Sequence, residues 1–127
     1  MKWLTIVGFL GGLGVALGAF GAHGLRERIE PELLAVFEVG VRYHMYHAIA
    51  MFCAALVIQE KYSRWVARAC GAWLVGIVIF SGSLYALSLT GMRWLGAVTP
   101  IGGVALIAGW CCVVIAGFDA QRRHAPE

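Results

Sequence analysis

The stretch Val39–Gln59, VGVRYHMYHAIAMFCAALVIQ, decides the fold. Its uninterrupted apolar part, Ala48 to Ile58, falls well short of the roughly 20 residues a helix needs to cross a hydrocarbon core. The polar run Gln59-Glu60-Lys61 fixes one boundary of the span. Counting back about 20 residues reaches Val39, so Arg42, Tyr43, His44, Tyr46 and His47 are drawn into the lipid slab. At about 1.5 Å per residue, His47 lies roughly 18 Å from the Gln59 end. Snorkelling or local thinning shortens that depth without freeing His47 from the slab.

Composition supports a membrane reading. The chain has 127 residues, one domain at most, and is 61% apolar but only 13% charged. Soluble domains carry about 25% charged residues. The net charge of +3 comes with no basic run longer than Arg122-Arg123, which argues against a nucleic-acid partner. Cys53, Cys70, Cys111 and Cys112 lie in or at the edge of apolar runs with no CxxC spacing, and read as small hydrophobes. The N-terminal apolar run, Trp3 to Ala22, exceeds the 7–15 residues of a signal-peptide core and reads as a retained span.

Outward from the central stretch, four spans are expected at about 3–22, 39–59, 69–89 and 94–118. Gly11, Gly14, Gly18 and Gly21 recur at helical spacing in the first and suit close helix packing. No strand precedes them, so a phosphate loop is excluded. Pro31 and Glu32 mark a helix start. Leu33, Phe37 and Val41 make an amphipathic segment leading into helix 2, either as one long helix or with a bend near Gly40. EKYSRWVAR, Glu60 to Arg68, reads as a basic loop with interfacial Tyr62 and Trp65. Ala72, Gly76 and Ser83 give helix 3 a small-residue face. Trp94 anchors the start of helix 4, Pro100 frees the carbonyl of Gly96, and the tail DAQRRHAPE reads as polar and frayed. The fold class is all-α: an integral membrane antiparallel four-helix bundle in a single domain.

Four spans put both termini on one side, with Lys2, Lys61, Arg64, Arg68, Arg122 and Arg123. Arg26, Arg28, Arg42 and Arg93 fall on the other, four in all, or three if Arg42 is intramembrane. The positive-inside rule makes the first side cytoplasmic. This topology collects polar residues in the outer half: His23, Glu38, Arg42, Tyr43, His44, Tyr46 and His47, with Ser83 and Tyr85 of helix 3 and Thr99 of helix 4. Unpaired polar groups in lipid cost several kcal/mol, so these should face inward and bond one another. Glu38–Arg42 and Tyr43–His47 are i, i+4 pairs, and His44–His47 is i, i+3.

The bland reading is a structural clasp. The sharper ones are a pocket for a lipophilic molecule (a lipid or quinone) oriented by His47 and Tyr46, ligation of a metal or haem by His23, His44 and His47, and a proton relay through the same histidines with Glu38. An enzyme fits least, since no Ser–His–acid order, HExxH or DxD-type carboxylate pair is present. The implied partners are the lipid bilayer and, as an open question, a second copy or another membrane protein.

Four motifs carry a resemblance: GAFGAHGL at Gly18 to Leu25, FEVGVRYHMYHAIA at Phe37 to Ala50, SGSLY at Ser81 to Tyr85, and TPIGG at Thr99 to Gly103. Together the chain resembles the YgdD-like family of small bacterial inner-membrane proteins, relatives of the eukaryotic transmembrane protein 256. The resemblance covers essentially the whole chain. It implies a four-span protein of the bacterial inner membrane and no activity or ligand set. Val39-Gly40 departs from it, a Thr-Ala-like pair being expected there.

Overall fold

Pro31 opens a 30-residue helix, α2 (Pro31–Glu60), at the one place where proline's missing N–H costs nothing, and Glu32 adds a carboxylate to the same turn. The computed structural model describes residues 2–124, and all regular structure among them is helical. α1 (Lys2–Leu25) ends in a π-helical stretch, Phe20–Leu25. α3 (Arg64–Thr90) contains a second one, Ile77–Ser81. Gly91, with φ 72°, takes the left-handed conformation that ends α3, and its N–H bonds the carbonyl of Leu87. A 3-10 turn, Arg93–Ala97, leads into α4 (Thr99–His124). All four helices are long and apolar enough to cross a membrane.

The small residues set how the helices meet. A Cβ on Gly14, Gly18 or Gly21 of α1 would meet Met45, Val41 or Phe37 of α2, respectively. Numbers rise along α1 as they fall along α2. The α3–α4 seam behaves the same way: Trp73 lies on Gly109, Gly76 on Leu106, and Phe80 on Gly102. At Gly102 the nearest atoms are the backbone N and Cα of Phe80, so the two helix backbones touch. Between α2 and α3, Gly40 lies under the ring of Tyr85. The core runs through Met51, Ala69, Cys70, Trp73 and Ile77, with Val7 and Leu10 of α1 and Leu106 of α4. Phe37 is fully buried and packs on Tyr85, with ring centroids 4.9 Å apart.

Of the two forms expected for helix 2, the long continuous one is found, and Gly40 serves close packing within it. Other sequence expectations change. The glycine face of α1 is Gly14, Gly18 and Gly21; Gly11 looks into open space. The connection after α2 is only Lys61 to Ser63, because the Ser63 hydroxyl caps α3 by accepting from the N–H of Val66 at 3.5 Å. Trp65 then lies under both Arg64 and Arg68, 5.7 and 4.6 Å from its ring centroid. Pro100 falls in the first turn of α4, where the helix has no bond to lose, so the Gly96 carbonyl is not robbed of a helical partner. The tail is helical to His124, braced by an Arg123–Asp119 ion pair at 2.6 Å; Ala125 to Glu127 lie outside the described residues.

Candidate functional site

His44 is buried, 2% exposed, where α1, α2 and α3 meet. Its Nε2 is 2.9 Å from the carbonyl oxygen of Leu10, an atom that can only accept. Nε2 therefore carries the proton. Nδ1, 3.1 Å from Tyr85 Oη, is left to accept from the phenol. One neutral imidazole thus ties a backbone group of α1 to a side chain of α3. Leu10 is reachable because Gly14, one turn on, offers no Cβ and lets α2 come close.

His47 is arranged the opposite way. Its Nδ1–H donates to the Tyr43 carbonyl one turn back, at 2.8 Å. Its Nε2 accepts from the indole N–H of Trp110 on α4, at 3.1 Å. The ring stacks on Tyr43 and lies beside Trp73 and Trp110, which meet edge to face at 4.9 Å. Trp73 is buried, and its own Nε1–H has no hydrogen-bond acceptor.

The hydroxyls form separate ties. Ser81 donates to the carbonyl of Gly40 at 2.7 Å, binding α3 to α2. Ser81 belongs to the π-helical stretch that also brings Phe80 onto Gly102. Ser83 and Thr99 share a hydrogen bond at 2.7 Å between α3 and the start of α4. Ser88 turns back on the Leu84 carbonyl of its own helix.

The expected single polar cluster is therefore resolved into discrete two-helix or three-helix bonds. His44 and Tyr85 are brought together, and so are Ser83 and Thr99. His47 joins Trp110 instead of a hydroxyl. His23 is exposed in the last turn of α1, about 13 Å along the helix axis beyond Gly14, which packs beside His44. It does not join the other two histidines. Glu38, Arg42, Tyr43 and Tyr46 are exposed. Among the described residues the ion pair present is Arg123–Asp119, so the expected Glu38–Arg42 pair is not formed. Likewise among the described residues, no three His, Cys, Asp or Glu side chains gather to hold a metal ion. The four cysteines are free thiols.

Sequence reasoning missed Trp110 and the backbone acceptors at Leu10, Gly40 and Tyr43. A signal for Trp110 existed: an indole N–H inside an apolar helix needs an acceptor. None existed for the carbonyls, because every residue has one.

Comparison with known proteins agrees with the architecture. A family model described as "Protein of unknown function (DUF423)" matches residues 17–103, which include both histidines and the Ser83–Thr99 pair. The Bacillus subtilis "UPF0382 membrane protein YwdK" is 48% identical over 119 residues, covering 91% of this chain and 96% of the relative. A Haemophilus influenzae UPF0382 membrane protein is 38% identical over 122 residues, covering 94% and 96%. The Escherichia coli "UPF0382 inner membrane protein YgdD" is 34% identical over 120 residues, covering 94% and 92%. These names state a membrane residence and no reaction. No solved structure matches. With most of its length aligned to such relatives and four bilayer-length apolar helices, the chain belongs to the DUF423 family of small integral membrane proteins.

Proposed function

We propose that this protein is a structural or accessory component of the bacterial inner membrane, with both termini on the cytoplasmic side, and that His44 and His47 act as a clasp between helices. One observation carries the reading: all four ring nitrogens of the two histidines are already hydrogen-bonded within the chain. Haem or metal ligation at either ring would first have to break one of these bonds. A proton relay would need to pass between rings that donate in different directions to backbone carbonyls. Tyr46 is exposed.

The test is spectroscopic and thermal together. Protein purified from membranes of cells grown in iron- and zinc-replete medium should show no Soret band and less than stoichiometric metal. His47→Ala should lower the melting temperature in detergent. Stoichiometric metal or haem that disappears in His47→Ala would overturn the clasp, as would a variant melting at the wild-type temperature.

A further inference from the structure

Beyond the histidines, a groove of about 610 Å³ runs between α2 and α4 at the Lys61 end of the molecule. Its inner end is closed by Trp73 and Trp110. Its α2 wall runs from Ala50 to Val57, and Val113 and Gly117 of α4 face it. The lining is apolar until the mouth, where Lys61, Arg123 and Asp119 stand. The groove opens sideways, since Cys53, Val57 and Gly117 on its walls are exposed.

The sequence explains why it is there. His47 and Trp110 link α2 to α4 at mid-height. Beyond Trp110 the side chains that could fill the gap are small: Ala50 and Ala54 on one helix, Ala116, Gly117 and Ala120 on the other. α3 forms the floor with Trp73.

We propose that this groove holds one acyl chain of an anionic phospholipid from the surrounding leaflet, with the lipid phosphate at Lys61 and Arg123. Two quantities select that occupant. From Ala50 to Lys61 the groove follows about 16 Å of helix, which matches half of a roughly 30 Å hydrocarbon core, the depth of one leaflet. The mouth carries two cations and one carboxylate. Asp119 holds one nitrogen of Arg123 at 2.6 Å, while among the described residues no acid pairs with Lys61. The excess of one positive charge complements one phosphodiester. Arg64, Arg68 and Arg122 belong to the same end of the bundle and add to the attraction for an anionic surface. A zwitterionic lipid would bring an ammonium group against this surplus.

Native mass spectrometry of the full chain, released from nanodiscs holding equal phosphatidylglycerol and phosphatidylcholine of the same chain length, tests this. Wild type should retain a single lipid with about fivefold preference for phosphatidylglycerol, the worth of one surface cation. Lys61→Gln, on an exposed connection, should abolish the preference and leave the fold unaltered. Gly117→Leu should expel the lipid. A Cβ at Gly117 meets nothing within 4 Å, and Gly117 lines the groove, so the added side chain starts from open space there. Helical circular dichroism and a monodisperse gel-filtration peak check both variants. The proposal is overturned by equal retention of the two lipids, by a ladder of lipids that Gly117→Leu does not shorten, or by a lipid-free dimer that the same variant splits.

Discussion

His44 and His47 are three residues apart on α2, yet one donates through Nε2 and the other through Nδ1. Each choice is forced by a carbonyl that can only accept. The consequences differ. The bonds of His44 reach 34 and 41 residues along the chain, to α1 and α3. One bond of His47 stays within its own helix, and only the bond from Trp110 is long-range. Interhelical hydrogen bonds in membranes average about 0.6 kcal/mol and reach about 1.7 kcal/mol. Tyr85→Phe should therefore cost about 0.6–1.7 kcal/mol. His44→Ala should cost more, since it also leaves the Leu10 carbonyl without its side-chain donor and opens a gap in the core. Chemical denaturation in mixed micelles of wild type, both single variants and the double variant gives the coupling directly. If Tyr85→Phe costs as much in the His44→Ala background as in wild type, the two side chains are not bonded. At this scale the sequence announced the histidines and the tyrosine but not their pairing. A histidine in an apolar run shows that a partner must exist, while backbone acceptors leave no trace in residue identity.

The helices were more legible than their ends. Periodic small and apolar residues marked four spans, and Pro31 marked a start. The misplaced helix ends lay where charged residues continue a helix past its apolar run, as at Arg64 and at Asp119 to His124. Hydropathy reports the lipid boundary, and a helix held by a Ser63 cap or an Arg123–Asp119 pair does not stop there. Glycine content had a similar ambiguity. Gly12 and Gly102 look alike in sequence, but Gly12 faces open space and Gly102 lies on the backbone of Phe80. Gly102→Ala must push α4 away from α3, at about 1–3 kcal/mol for an overpacked site. Gly12→Ala should be neutral or stabilising by up to about 1 kcal/mol, the helix-propensity gain. Thermal unfolding in the same detergent should place Gly102→Ala below wild type and Gly12→Ala at or above it. Equal melting temperatures would show that the α3–α4 contact tolerates a methyl group.

For the whole molecule, length and charge combine into an orientation. α2 has 30 residues, about 45 Å of helix, against a hydrocarbon core of about 30 Å. If the core begins near Glu60, about ten residues at the Pro31 end lie beyond it, and Arg42 comes close to the opposite boundary. Its side chain is exposed, as snorkelling to the interface requires. Arg42 thus counts with Arg26, Arg28 and Arg93 as a charge of the loop side. The comparison becomes six Lys and Arg on the side of the termini against four. Arg64 and Arg68 both lie over the Trp65 ring, and basic residues close to a span end are the ones that count most in the positive-inside rule. A phosphatase reporter fused after His124 should therefore be inactive and a fluorescent reporter at the same position bright, both marking the cytoplasm. The margin is two charges, so it can be reversed on purpose. Replacing Lys61, Arg64 and Arg68 with glutamine leaves three basic residues against four, and should convert a measurable fraction of molecules to the active phosphatase orientation. A phosphatase fusion that stays inactive in the triple variant would show that something other than the basic residues of the α2–α3 connection sets the orientation.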